Sequence, residues 1–397
     1  MDWLLLLIIL DIIVLLAAYS FTISTKLYHT IYQTFYLKKY DRTYSLSPDI
    51  SIFIPCKGIN EHFEDNIHAF LNSPYHKAKL FFIVESKDDL AYPIIKKSIE
   101  NRPDVRLVIA GPTTSCGQKN HNLLQGIKAA GEKDDVYVFF DADTTITAQQ
   151  LRDLVLPLSN SNVTVAVGFR WNILSEKTLG ERLHAFMIAL QWSIMNCVFV
   201  PSVWGGAAAI RREDFENMRV QEYWAKTVVD DMSLQSLLQK KRKKSVFVPT
   251  CVKETNNTLK HIDEAILWFK RQALYVKFYL RPSWLLILGL LVCCSANIVS
   301  FPFLLISAII CPGKKIFLFT GVTGIFNIFA MISCLLLKRS TNDNHSKLSW
   351  LLLSPLYLVL TCYACLLSIF TNVLHWKGIS YYLDYHGYVK KIVRDTR

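Results

Sequence analysis

Val138-Phe139-Phe140-Asp141-Ala142-Asp143-Thr144 is an apolar strand that ends on two carboxylates one residue apart. Side chains alternate across a strand, so Asp141 and Asp143 are expected to emerge on one side of the sheet edge, where they can hold a hard, oxygen-preferring cation. The same Asp-x-Asp pattern also closes a strand and opens a turn. Its surroundings choose between these readings. Outward from it, residues 50–54, 80–84, 105–109 and 163–167 form further short runs of β-branched and aromatic residues, separated by helical stretches near 61–73, 90–100, 119–131 and 147–158. Apolar runs of this kind are strands buried on both faces, which predicts an α/β domain over 48–282 built on a mostly parallel, doubly wound sheet. Ligands of such a sheet sit outside the carboxyl ends of its strands, where Asp88, Asp89, Asp141 and Asp143 fall.

The flanks belong to a different solvent. Residues 3–21 are apolar except for Asp11, with no positive charge before them and Lys26, Lys38, Lys39 and Arg42 after. That predicts an anchor over 1–24, with the following domain in the cytosol. A cleaved signal peptide is the alternative, but the basic n-region is missing and the apolar stretch is long. Three more apolar blocks, 284–310, 316–337 and 350–373, predict membrane segments over 283–374, followed by a basic tail at 375–397. Pro302 sits in a tilted span or breaks it into a hairpin or re-entrant piece. Three crossings would put the tail outside, against the positive-inside rule, and an even number would put it inside. The apolar stretch 186–203 carries Gln191, Asn196 and Pro201 and lies within the 48–282 region. It reads either as a buried core helix or as an interfacial helix that receives a lipid.

Composition agrees with an anchored domain. The 397 residues are 52% hydrophobic with mean hydropathy +0.25, too apolar for an ordinary soluble chain and too polar for one wholly embedded. The net charge of +12 favours anionic lipid and phosphate-bearing substrates. No zinc-finger spacing or aromatic-interleaved basic motif supports nucleic-acid binding. The run Lys240-Lys241-Arg242-Lys243-Lys244 reads as a solvated turn or a membrane-surface contact. Six of the ten cysteines lie in the apolar C-terminal third, Cys362 and Cys365 among them, which fits packing in lipid and a reducing compartment.

Read along the chain, the motifs are Ile54-Pro55-Cys56-Lys57-Gly58, Val84-Glu85-Ser86-Lys87-Asp88-Asp89-Leu90-Ala91, Gly117-Gln118-Lys119-Asn120-His121-Asn122-Leu123, Asp141-Ala142-Asp143, Val229-Asp230-Asp231 and Trp268-Phe269-Lys270-Arg271-Gln272-Ala273-Leu274-Tyr275. A closing His375-Trp376-Lys377-Gly378-Ile379-Ser380-Tyr381-Tyr382 completes the set. In this order, and with this membrane layout, the whole chain resembles family-2 type membrane glycosyltransferases. Among them it looks most like the ceramide glucosyltransferase group. The resemblance implies a GT-A type fold and inverting transfer of a hexose, glucose from UDP-glucose foremost, to the hydroxyl of a membrane lipid such as ceramide. It also implies that Asp88 or Asp89 contacts the nucleoside, that Lys119 and Asn122 touch the donor, and that Asp141 and Asp143 bind ribose and Mn²⁺ or Mg²⁺. The cation would offset charge on the departing UDP.

Asp231 is the candidate base. It opens a helical stretch as the second acid of a pair in which Asp230 replaces the family's usual Glu, a position that also suits a helix cap. The family's Gln/Arg-x-x-Arg-Trp box maps to Arg271-Gln272-Ala273-Leu274-Tyr275, or in another register to Trp268-Phe269-Lys270-Arg271-Gln272. In both, Arg271 remains as a diphosphate contact. Asp230, Gln272, Tyr275 and Trp204 are acceptor-site candidates, and the Gly205-Gly206-Ala207 that follows Trp204 permits close backbone approach to a ligand. Bacterial inner membrane and eukaryotic Golgi or ER all suit such a protein. A processive polysaccharide synthase would need more spans and a complete aromatic box. A non-catalytic receptor or scaffold on this fold would have no reason to keep every buried acid, since an unpaired one costs several kcal/mol.

Overall fold

In the computed structural model the described residues are Ile9, Leu27, Ile31 and 48–395, except 61, 73–77, 132–133, 196–201, 257–258 and 338–345. The expected anchor at 1–24 lies outside them apart from Ile9. The described chain forms two compact units. One holds residues 171–197 and 256–371, and the other holds 29–170, 198–255 and 372–397. Residues 171–197 and 256–282, grouped above with the 48–282 region, therefore cluster with the long apolar helices.

The second unit is built on a seven-stranded sheet of order β3-β2-β1-β4-β6-β5-β7. Its strands are β1 (Ile50–Pro55), β2 (Ala78–Val84), β3 (Val105–Ile109), β4 (Val136–Phe140), β5 (Val165–Ile173), β6 (Ala207–Arg211) and β7 (Ser245–Asn256). Strands β1–β4 are parallel, and β6 runs antiparallel between β4 and β5. The register places Phe53 opposite both Phe81 and Phe139, and the rings stack at 5.3 and 5.7 Å. Cross-strand aromatic pairs of this kind fix register, because a slip of one residue would turn every ring to the other face. The connecting helices are α1 (Phe63–Leu71), α2 (Ala91–Ser98), α3 (Gln118–Ala130) and α4 (Ala148–Val155), followed after β6 by α6 (Arg212–Asn217), α7 (Val220–Trp224) and α8 (Asp230–Lys240). Helix α3 lies close on the sheet because Gly126 presents no Cβ, which would sit 3.0 Å from both Ile83 and Phe53.

Residues 375–397 were expected to be a basic tail. Instead β8 (Val373–Trp376), β9 (Ile379–Leu383) and β10 (Val389–Arg394) form a three-stranded antiparallel sheet in this same unit. Lys377 and Gly378, at φ 49° and 73°, make the two-residue connection between β8 and β9, the left-handed turn that suits a hairpin.

The other unit contains α5 (Leu179–Met195), α9 (Ile262–Tyr279), α10 (Arg281–Ile310), α11 (Lys314–Leu337) and α12 (Lys347–Leu367). Among the described residues, α10, α11 and α12 are the three helices long and apolar enough to cross a membrane. Pro302 does not break α10, which continues to Ile310, as a membrane helix can when its neighbours satisfy the freed backbone groups. Helix α5 carries most of the apolar 186–203 stretch. Its Phe186 packs against Trp350 and Tyr357 of α12 at 5.6 and 5.4 Å.

Candidate active site

Four chain segments converge at the carboxyl end of β4. Strand β4 ends at Phe140, so Asp141-Ala142-Asp143 is a turn and not the last residues of a strand. The Asp141 carbonyl accepts from Thr144 N at 3.0 Å and from its Oγ1 at 2.6 Å. Turn geometry, not strand alternation, thus sets the two carboxylates side by side. Burial first, and the charge of Asp141 second, raise the pKa of Asp143, against opposition from Arg170 and Lys119. Asp143 is nonetheless exposed to solvent, so its environment is crowded without being sealed.

Lys119 is the hub. It stands in the first turn of α3, a poor place for a cation beside the positive end of a helix dipole. Three carboxylates hold it there. Its Nζ lies 2.7 Å from Asp141 Oδ1 and 3.0 Å from Asp230 Oδ2, and donates to the Gly205 carbonyl at 3.3 Å. Burial alone would lower its pKa, but Asp141, Asp230 and Asp231 outweigh it and raise the value.

Asp230 and Asp231 are the first two residues of α8, whose N-cap is Val229. Neither is the cap residue itself, and the helix dipole favours both as anions. Asp231 Oδ2 accepts from Gly205 N at 3.2 Å and Oδ1 from Met232 N at 2.6 Å. Burial, then the charge of Asp230, nevertheless push its pKa up to about 7, against Lys119 and these two backbone bonds. A carboxylate poised near neutrality is suited to take a proton. Asp230, only 4% exposed, is also raised, by burial before the charge of Asp141.

Gly205 and Gly206 tie the segments together. Gly206 O accepts from Asp141 N at 3.3 Å while Gly205 meets Lys119 and Asp231. A Cβ on Gly205 would lie 2.5 Å from Asp230 Oδ2. The close approach expected of a ligand at these glycines is made by the site's own side chains. Trp204 walls a cleft beside the turn with Phe140, Thr144, Phe169 and Cys251, its ring 5.4 Å from that of Phe169.

Other expected residues fall elsewhere. Asn122 is 1% exposed, with its amide accepting from Gln118 at 2.8 Å and donating to the Ile83 carbonyl. It fastens α3 to β2 beneath the site and does not face the cleft. Asp89 Oδ1 accepts from Gly58 N at 2.8 Å and Ala91 N at 3.0 Å, joining the loops after β1 and β2, whereas Asp88 is exposed. Arg271, Gln272 and Tyr275 stand on α9 in the other compact unit. Both registers considered for that motif land on one stripe, because Trp268, Arg271, Gln272 and Tyr275 are spaced at helical intervals. Glu85 and Lys57, motif residues to which no role was assigned above, pair at 2.5 Å.

The acids fit a divalent cation. Four carboxylates surround Lys119 and Arg170, a surplus of negative charge, and Asp141 with Asp143 offers hard oxygen donors. No group of three acid, histidine or cysteine side chains is placed to hold a metal ion together among the described residues, so substrate oxygens and water would supply the remaining ligands.

The family model for glycosyl transferase family 21 matches residues 12–389. The chain belongs to glycosyl transferase family 21. Among curated proteins, this family 21 chain is 30% identical over 128 residues to ceramide glucosyltransferase 3 of Caenorhabditis elegans, covering 30% of the chain and 28% of that relative. It is 25% identical over 85 residues to ceramide glucosyltransferase 1 of the same organism, covering 21% and 18%. The matches thus span under a third of those relatives. Among solved structures, a mannosyltransferase from Pyrobaculum calidifontis in complex with GDP-Man and Mn²⁺ superposes over 91% of this chain and 99% of its own, with TM-score 0.50 and 15% identity. At that identity the likeness is one of fold, the GT-A-like architecture.

Proposed function

We propose that the chain is an integral-membrane inverting glycosyltransferase that moves glucose from UDP-glucose to the hydroxyl of a membrane lipid of the ceramide class. The observation that carries this is Asp231, a half-buried acid held near neutrality beside a lysine clamped by two other acids. The acceptor oxygen attacks the anomeric carbon while Asp231 takes its proton. The bond to UDP breaks with its electron pair leaving on the diphosphate, so displacement is direct and configuration inverts. Asp141 and Asp143 would hold Mn²⁺ or Mg²⁺, which when bound offsets charge on the leaving diphosphate. Lys119 adds a fixed positive charge at the same end of the sheet. Asp88, exposed beside β2, is the nucleoside contact, and Trp204 lines the acceptor side. Arg271 is carried forward only as the diphosphate contact that the family box implies. That the Caenorhabditis relatives are ceramide glucosyltransferases supports glucose and ceramide, and the Mn²⁺ of the Pyrobaculum protein supports the cation.

The test uses the purified full chain in detergent with UDP-glucose, Mn²⁺ and a short-chain ceramide. Release of UDP matched by a β-linked glucosylceramide is expected. UDP release with no lipid product, or an α-linked product, would overturn the reading.

A further inference from the structure

The closing motif around Trp376 and Tyr381 has no part in the chemistry above, yet its sheet touches both arms of the site. Helix α3 has Gly117 as its N-cap with no side-chain cap. The first helical N–H, that of Gln118, donates instead to the Tyr381 hydroxyl at 3.0 Å. Helix ends leave such donors orphaned, so this bond between residues 263 positions apart caps α3 from the C-terminal sheet. Arg394 of β10 donates to Gln118 Oε1 at 2.8 Å and pairs with Glu85, which Lys57 holds from the other side. Glu85 is 9% exposed, so its two cations are partners it needs.

The second arm is the loop that leads into α8. Val389 N donates to the Lys226 carbonyl at 3.0 Å, and Tyr388 bridges Thr227. Thr227 in turn accepts from Gly117 N at 2.9 Å and from Asn120 Nδ2 at 3.0 Å. The two arms meet so tightly that a Cβ on Gly117 would lie 2.1 Å from the Val228 carbonyl oxygen. Lys119 is one residue past Gln118, and Asp230 is three past Thr227.

We propose that the C-terminal sheet is a strap that holds Lys119 between Asp141 and the Asp230–Asp231 pair, with Tyr381 and Arg394 as its positioning residues. The strap keeps the first turn of α3 and the 226–229 loop at a fixed separation. Slackening it at Tyr381 would move the lysine that both acid pairs share, with little change at the donor's nucleoside end. The catalytic half of this inference rests on the function proposed above.

The test compares the full-length chain with Tyr381→Phe, Arg394→Ala and Arg394→Lys in two independent measurements. In amide exchange without ligand, Tyr381→Phe and Arg394→Ala should speed exchange across residues 117–121 by roughly tenfold, the worth of one lost hydrogen bond. In the transfer assay, kcat should fall by roughly tenfold or more in both, with donor KM within about twofold in Tyr381→Phe, since a small misplacement costs rate before affinity. Arg394→Lys should recover most of both. Unchanged exchange, or faster exchange with unaltered kcat, would overturn the strap. A parallel fall in kcat, donor affinity and unfolding temperature would also overturn it, by marking the sheet as general support. If the unmodified chain transferred no glucose, the proposed function would fall, and exchange would still decide whether the strap holds α3.

Discussion

Asp231 concentrates the chemistry, and its environment works against its own stability. Its folded-state pKa of about 7 lies above the ordinary 3.8. The stabilising contribution of the protonated form is therefore complete below 3.8 and is lost as pH rises through 7. Once ionised, the carboxylate destabilises the fold by up to about 4 kcal/mol, at ~1.4 kcal/mol for each pH unit of displacement. Asp231→Asn should thus raise the unfolding temperature most at pH 8 in cation-free buffer, less than half as much at pH 5, and hardly at all below pH 3.8. Turnover should fall by roughly 10²–10⁴ while UDP binding persists. Equal stabilisation at pH 8 and pH 5, or near-normal turnover, would remove Asp231 from the role of base. In the unmodified chain, activity should drop about tenfold per pH unit below 7, an acid limb that belongs to the Asp230–Asp231 pair. Asp141 and Asp143 make a separate prediction. Chelation should abolish transfer, and added Mn²⁺ or Mg²⁺ should restore it; full activity in excess chelator would reduce the pair to a turn.

At the level of elements, the loop before β6 decides whether the site closes. A methyl group on Gly205 meets Asp230 Oδ2 at 2.5 Å and Lys119 Nζ at 3.0 Å. Gly205→Ala should therefore lower turnover by roughly 10²-fold, as expected for a displacement near 1 Å. Wild-type turnover in that variant would show that α8 and α3 can separate freely. This dependence was not readable from the chain. Gly205 follows a tryptophan and looks like a place for a ligand, and its true neighbours are 86 residues back and 26 forward. The strands, their alternation with helices and the paired acids were legible, because apolar period and acidic doublets are local signals. The turn at Asp141 was misread as strand, since two residues at the end of a strand cannot show where pairing stops. The C-terminal sheet was misread as a tail because Lys390, Lys391 and Arg394 advertise charge. Its local signal, a Lys377-Gly378 turn between alternating β-formers, was present all the same.

For the whole molecule, the open matter is how many times the chain crosses the bilayer. Helices α10 and α11 form an antiparallel hairpin. Thr320 Oγ1 donates to the Leu304 carbonyl at 3.3 Å, and a Cβ on Gly324 would lie 3.0 Å from the Phe301 ring. Continuing that register sets Cys334 at the level of roughly residue 291 of α10, about seven residues, or ~10 Å, from Trp284. These are the two levels at which α12 is fastened. Trp350 Nε1 at its start donates to the Cys334 carbonyl at 2.7 Å, and Trp284 Nε1 donates to Ser368 Oγ just past its end at 3.1 Å. Between Trp350 and Ser368 a helix runs ~27 Å against ~10 Å between those two levels, so α12 is expected to lie aslant to the hairpin, whereas α10 and α11 are expected to cross ~30 Å of hydrocarbon. It is also the most buried of the three. Two crossings would return the chain to the side it left, in agreement with the C-terminal sheet belonging to the same compact unit as the acid cluster and with the positive-inside rule. Protease sites placed in the exposed turn at 241–243 and after residue 395 should therefore be cut together, or protected together, in sealed vesicles, while a site at Pro312-Gly313 behaves oppositely. A C-terminal site protected when the 241–243 site is cut would mean three crossings, and the bonds that tie Tyr381 and Arg394 to Gln118 could not form in the membrane-bound protein.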